Sequence, residues 1–272
     1  MIRRALTTAV AVAVTAVTAA GCGGGNRSSD GEPDAEKGRP TATAQVTGDY
    51  AGLEDVPERL AADGTAIVVG DPKAPLVVRL YEDPRCPVCE EFETDGGGPV
   101  LHKAAVRRQV RIEYTLASFL DDRVGGSGSE KAVNALRAAL DAGKFAEYHQ
   151  MLYAHQPEES VDGFTDAYLL KLAGRIDGLR GPAFDSAVKT MKYRSFVTAS
   201  ERAYERAGGK EDPRGPGTPT MDIDGVRIPA EYNGLFFDGE VFGELLANIA
   251  ENPESWDGSF FDVLDAMDTG SA

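Results

Sequence analysis

Cys86-Pro87-Val88-Cys89 places two thiols three positions apart, a spacing that can close and reopen a disulfide without large backbone movement. A thiol attacks only as thiolate, and a free cysteine with a pKa of about 8.5 is mostly protonated at neutral pH. The first sulfur therefore needs help. If Cys86 opens a helix, the unpaired amide N–H groups of the first turn and the positive end of the macrodipole favour its charge. Pro87 suits the first helical position, where its missing N–H removes no helical bond and its fixed φ fits the turn. Val88 brings no side-chain hydrogen bond, and Arg85 either adds a neighbouring cation or points into solvent. These features assign Cys86 as the exposed nucleophile and Cys89, one turn further in, as the more buried resolving partner.

Competing chemistry is limited by what else the chain carries. Cys22, Cys86 and Cys89 are its three cysteines, too few for a disulfide-stapled scaffold, and tetrahedral zinc would need two ligands beyond the pair. His102, His149 and His155 are its three histidines; none stands at a ligand-like spacing from the pair, although His149 and His155 could meet it in space. No metal and no cofactor are expected. With 28 Lys and Arg against 44 Asp and Glu, a net charge of -16 repels a phosphate backbone, so nucleic acid is not expected as a partner.

The elements that must position the pair follow from periodicity. Ala66–Val69 and Leu76–Tyr81 are apolar, β-branched runs bounded by Gly70-Asp71-Pro72 and Asp83-Pro84, and Val110–Leu116 alternates with period two, so all three read as strands. A helix is expected between Pro87 and Arg108, broken or kinked at Gly96-Gly97-Gly98-Pro99. From Ser129 to Gly208 the period becomes helical: Val133, Leu136 and Leu140; Phe145, Tyr148 and Leu152; Leu169, Leu172 and Ala173; Phe184, Val188 and Met191; then Phe196 to Ala207. Such stripes are ordinary core. Thr220–Ile223 and Val226–Ile228 flank Asp224-Gly225, a strong hairpin signal, and Phe242, Leu245, Leu246 and Ile249 mark a last amphipathic helix capped by Asp238. A short terminal helix around Phe260, Leu264 and Met267 is allowed beyond it.

A dithiol at the start of the helix that follows a core strand, with a helical block between the two halves of the sheet, resembles the thioredoxin fold in its DsbA-like branch. Asp83-Pro84-Arg85-Cys86-Pro87-Val88-Cys89 matches that family's D-x-x-C-P-x-C and Gly217-Thr218-Pro219-Thr220 matches its G-T-P-T turn. The resemblance implies an α/β fold, thioredoxin-like, with an inserted helical domain: residues 50–118 and 214–251 as the thioredoxin-like domain, 119–213 as the insertion and 252–272 as a tail. It implies a thiol:disulfide oxidoreductase in which Cys86 forms the mixed disulfide, Pro87 and Val88 tune the potential, and a cis Pro219 faces the dithiol with the backbone of Thr218 open to an extended substrate strand. Many relatives carry an acid six positions before the first cysteine; here Leu80 stands there. Glu82, on the same strand face, could serve as proton relay, although a solvated strand-end carboxylate is the preferred reading. Asp83 reads as a turn residue ahead of Pro84.

The N-terminus points to export. Arg3 and Arg4 precede an uncharged stretch from Ala5 to Ala20, too short for a comfortable membrane span, and Ala19-Ala20-Gly21-Cys22 looks like a lipobox, with Ala19 where Leu is preferred. Residues 1–21 are thus expected to be a signal, Cys22 a lipidated anchor and 22–49 a polar tether of roughly 30 Å; ordinary cleavage and secretion is the alternative. Outside the cytoplasm a disulfide can persist. The partners then expected are cysteine-containing exported proteins, a membrane redox partner that resets the dithiol, and the membrane itself through the lipid; no dimerisation segment is visible, so a monomer is expected. An oxidase is the leading reading. A reductase or isomerase keeps the site and reverses the flow, and a non-catalytic peptide- or Cu(I)-binding module keeps only the fold; Met or His, which suit Cu(I), do not flank the motif.

Overall fold

A computed structural model describes residues 48–269 of the chain, with side chains to residue 264. The expected signal, the lipobox with Cys22 and all but the end of the tether lie outside the described residues. Six strands form one mixed sheet: β1 (Glu58–Leu60), β2 (Ile67–Gly70), β3 (Leu76–Glu82), β4 (Val110–Leu116), β5 (Thr220–Ile223) and β6 (Val226–Arg227), in the order β1-β2-β4-β3-β5-β6. β3 and β4 pair in parallel and every other neighbour is antiparallel. A parallel pair needs a crossover, and α1 (Pro87–Thr94) with α2 (Gly98–Val106) supplies it. The glycine run separates these two helices as the sequence implies.

Central β3 and β4 bury one face completely beneath helices, while the other carries Arg79, Arg111 and Glu113. Val78, Leu80, Val110, Ile112 and Leu116 have no exposed surface, and each such side chain contributes about 1.5–3 kcal/mol on burial. The helical block comprises α3 (Leu120–Val124), α4 (Gly128–Asp141), α5 (Phe145–Tyr153), α6 (Asp166–Ala173), α7 (Pro182–Thr190) and α8 (Arg194–Ala207). Met191 falls outside the helix that its spacing suggests: it ends α7 in the left-handed conformation, φ 51°. Ser200 of α8 ties this block to the sheet by accepting from Leu116 N at 2.9 Å.

The hairpin turn forms at Asp224 (φ 47°) and Gly225 (φ 87°), the two left-handed positions of a type I′ turn. Asp224 also clamps β3, its Oδ1 accepting from Val77 N at 2.8 Å and its N donating to Val77 O at 2.8 Å. After α9 (Gly234–Phe237), α10 (Gly239–Glu251) starts on Asp238, whose side chain accepts from Glu240 N and Val241 N. Residues 252–269 are not a loose tail. α11 (Phe260–Thr269) follows Trp256, which is buried and donates from Nε1 to Ile223 O at 2.7 Å. The short β1 has no counterpart in the periodicity.

Candidate active site

The register of β3 against β5 builds the site. Tyr81 pairs with Thr220 in antiparallel sense, so the chain leaving β3 and the chain entering β5 meet at the same edge of the sheet. The first becomes the dithiol turn and the second the Gly217–Thr220 loop. Cys86 N donates to Asp83 O at 2.9 Å, closing the turn, and Cys86 is the N-cap of α1 with φ -74° and ψ 117°, followed by Pro87 in the first turn. The Thr218–Pro219 peptide is cis. Cys86 Sγ–H donates to Thr218 O at 3.3 Å, which brings the two motifs into contact.

Both cysteines are unbridged, and they are unequal in access. Cys89 is completely buried, and Cys86, expected to be exposed, is only 6 % exposed. The reason is local packing: Leu120, Tyr153 and Phe119 close around the two sulfurs, and the Thr218 backbone lies across Cys86. Pro87 and Val88 are the exposed rim, with Val88 43 % open, and a groove lined by Gly208, Asp212, Thr218, Pro219, Ile228 and Asn233 runs along the loop.

The sulfurs differ electrostatically in the same sense. The Cys86 thiol is lowered to about 6, first by the hydrogen bond from Cys89, then by those from Thr218 and from the backbone N–H groups of Cys89 and Val88, against burial. These amides are the unpaired donors of a helix N-terminus. Burial pushes the Cys89 thiol well up, and the hydrogen bond and charge of Cys86 add to it.

Arg85 and Glu82 differ from their expected places. Arg85 neither reaches solvent nor faces the sulfur: it is 2 % exposed, with Nη1 on Asp121 Oδ1 at 2.7 Å and on Gly125 O at 2.8 Å and Nη2 on Glu159 O at 2.8 Å. It fastens the turn to the helical block. Glu82 is not a solvated carboxylate, because β3 continues through it beneath α1 and α5 and leaves it no exposed surface. Burial raises its carboxyl well above the usual range, and the Cys86 charge adds to this. Asp83 is a turn residue and a bracket together: it is fully buried and accepts from Arg85 N at 2.9 Å, Leu120 N at 3.0 Å and Ser129 Oγ at 2.6 Å. Its carboxyl is raised to about 7 by burial.

Several site residues have no sequence signal beyond their type. Gln156 donates from Nε2 to Pro84 O at 2.9 Å and Cys86 O at 3.0 Å. Tyr204 OH accepts from Gly217 N at 3.1 Å while its ring stacks on Phe119, 5.1 Å between centroids. Beneath Cys89 lies a buried polar cluster. His149 Nε2 is 3.0 Å from Glu82 Oε2, and Glu93, one helical turn beyond Cys89, has Oε2 3.8 Å from His149 Nδ1 and 3.5 Å from His102 Nε2. Burial raises the Glu93 carboxyl well up and lowers both imidazoles. The i to i+4 relation of Glu93 to Cys89 could have flagged it. His155 stays apart, its Nδ1 on Met151 O at 3.2 Å.

A family model described as thioredoxin matches residues 62–235, more than half of the chain, and spans both motifs. The chain belongs to this thioredoxin family. Serine/threonine-protein kinase PknE of Mycobacterium tuberculosis is 30 % identical over 122 residues, 42 % of this thioredoxin-family chain and 21 % of the kinase. The chain spans about a fifth of the length of the curated relatives it matches. Among solved structures, BdbD from Bacillus subtilis in its oxidised form is similar at TM-score 0.55 and 18 % identity, covering 75 % of this chain and 98 % of that one. MdbA, a thiol-disulfide oxidoreductase from Corynebacterium diphtheriae, is similar at TM-score 0.54 and 21 % identity, covering 74 % and 96 %. At these identities the likeness is one of thioredoxin-like, DsbA-like fold.

Proposed function

We propose that the chain is an extracytoplasmic thiol:disulfide oxidoreductase working as an oxidase of cysteines in exported proteins. The observation that carries the reading is the contact of Cys86 Sγ with Thr218 O at 3.3 Å, with Cys89 sealed behind it. MdbA, whose fold it shares, is a thiol-disulfide oxidoreductase, which supports the exchange chemistry. In the forward step a substrate thiolate attacks Cys86 Sγ of the oxidised pair. A substrate–Cys86 disulfide forms, the Cys86–Cys89 bond breaks, and Cys89 leaves as a thiolate that takes up a proton. A second substrate thiolate then attacks the first substrate sulfur and expels the Cys86 thiolate. The substrate loses two electrons and the pair gains them. A disulfide whose leaving thiolate is stabilised is the more oxidising, so a Cys86 thiol at about 6 favours this direction over the reductase. Glu82, whose charge interacts with both cysteines, is the buried carboxyl that would exchange the Cys89 proton.

Thr218 presents its carbonyl beside the sulfur, and an extended substrate segment laid on this loop would bring its cysteine to Cys86 by backbone pairing. The signal and the Cys22 anchor, if processed as their motifs imply, would hold the domain at the outer face of a membrane, where a membrane partner resets the pair. A glutathione redox titration tests the function, with Cys86→Ser and Cys89→Ser beside the wild type. Cys89→Ser is expected to trap a mixed disulfide and Cys86→Ser to trap none; equal trapping by both would overturn the assignment, and a pair that resists reduction below about -300 mV would mark a structural bridge.

A further inference from the structure

The cluster beneath the dithiol contains more unpartnered polar atoms than a buried hydrogen-bond network should. Glu93 Oε1 and Oε2, His149 Nδ1 and Glu82 Oε1 are all buried and find no donor; the Glu82 and Glu93 carboxyls face one another and pair only if they share a proton. Buried polar groups are normally paired, and an unpaired buried carboxylate is among the costliest. The distances say what would pair them. Glu93 Oε2 lies 3.5 Å from His102 Nε2 and 3.8 Å from His149 Nδ1, long for hydrogen bonds. Ligand atoms held about 2.0–2.1 Å from a common tetrahedral ion stand about 3.3 Å apart, so only small side-chain adjustments separate these groups from a shared ion. One ligand atom from each of Glu93, His102 and His149 falls within 4.8 Å of the others.

We propose that Glu93, His102 and His149 form a buried site for a zinc-like divalent cation, with Glu82 and Gln150 orienting the two imidazoles from outside. Each imidazole has its second nitrogen engaged away from Glu93. His149 Nε2–H donates to Glu82 Oε2 at 3.0 Å, the carboxylate–histidine arrangement that fixes the tautomer of a metal-binding ring. His102 Nδ1 meets the Gln150 amide at 2.8 Å, and that amide, turned over, offers its oxygen to Nδ1–H. His102 Nε2 is hydrogen-bonded to Tyr114 OH at 3.0 Å, and metal would take the place of that bond.

Nitrogen and oxygen donors without sulfur suit zinc better than Cu(I), and an all-oxygen cage for Ca²⁺ or Mg²⁺ is not present here. The site comes from α1, α2 and α5, so it exists only when these helices are packed, and loading is coupled to folding.

The test uses the full chain with its dithiol oxidised and Cys22 then alkylated, so that no cysteine competes for metal and no thiol exchange is measured. The protein is refolded with ZnCl₂, passed over a chelator and assayed for bound zinc, and the loaded wild type is examined by X-ray absorption. One zinc per chain is expected, bound by nitrogen and oxygen with an imidazole signature. Affinity should fall about 10- to 100-fold in Glu82→Gln and bound zinc should be lost in His149→Gln and Glu93→Gln. Folded wild type that retains no zinc, a sulfur-containing shell, or folded Glu93→Gln and His149→Gln that retain zinc as the wild type does would each overturn the proposal. If those variants fail to fold, the absorption spectrum of the wild type alone decides. The outcome is independent of the oxidoreductase reading.

Discussion

Cys86 acquires its acidity from three neighbours that its sequence position only half announces. The helix N-terminus follows from Cys86-Pro87, but the Thr218 side chain, which helps lower the thiol, is brought to the sulfur by strand pairing across the sheet. Reduced protein should therefore react with iodoacetamide at Cys86 with a rate that climbs through about pH 6 and levels off above it, while Cys89 stays silent over the same range. A midpoint near the ordinary thiol value of about 8.5, read by mass spectrometry of the alkylated cysteines, would contradict the geometry. The sign carries to stability. The folded value lies below the unfolded one, so the thiolate stabilises the reduced fold fully above about pH 8.5 and that contribution disappears as pH falls through about 6. At this scale the pair and the Thr218–Pro219 bend were legible because each is a local motif. Glu82 reads as a strand-end carboxylate facing solvent, yet it is buried, since a strand's alternation does not reveal that helices cover its end. His102 and His149 were visible only as residue types, because their meeting at Glu93 is made by the packing of α2 and α5 on α1.

At the scale of elements, the Gly217–Thr220 loop is held by α8 rather than by its own turn chemistry. Tyr204 of α8 accepts from Gly217 N, and Gly215 passes directly over the Tyr204 ring with φ 101°. A Cβ at Gly215 would run into that ring, and φ there is one that only glycine adopts freely. Gly215→Ala should lower stability by about 1–3 kcal/mol in chemical denaturation and slow thiol exchange by displacing Thr218 from Cys86; unchanged exchange would show that α8 does not set the loop. Val110–Leu116 reads with its bounds as β4, and the hairpin by its Asp224-Gly225 turn, while β2, β3 and β6 differ by a residue at one or both ends. β1, with three half-exposed or exposed residues, carries no period and exists through its pairing with β2. Met191 continued a helical stripe on paper, yet the chain had already turned left-handed to end α7.

At the scale of the whole molecule, the segment after α10 closes the sheet instead of trailing from it. Trp256 packs with Phe260 and Phe261, at 4.9 and 5.7 Å between ring centroids, and bonds Ile223 O in β5. Trp256→Ala should cost about 3–5 kcal/mol of unfolding free energy by losing that packing and freeing a buried carbonyl; a loss below about 1 kcal/mol would mean the segment adds little. Its role was hidden because the partner strand is distant in sequence and a lone tryptophan names no contact.

Under the proposed function, the narrow opening over Cys86 would select clients by their pliancy. A sulfur with 6 % of its residue surface uncovered would admit a cysteine on a segment able to bend down between Val88 and Thr218, and would turn away one fixed on a rigid exterior. Oxidation by such a site would be confined to the interval in which an emerging chain is still slack, and the client's own collapse would end the encounter.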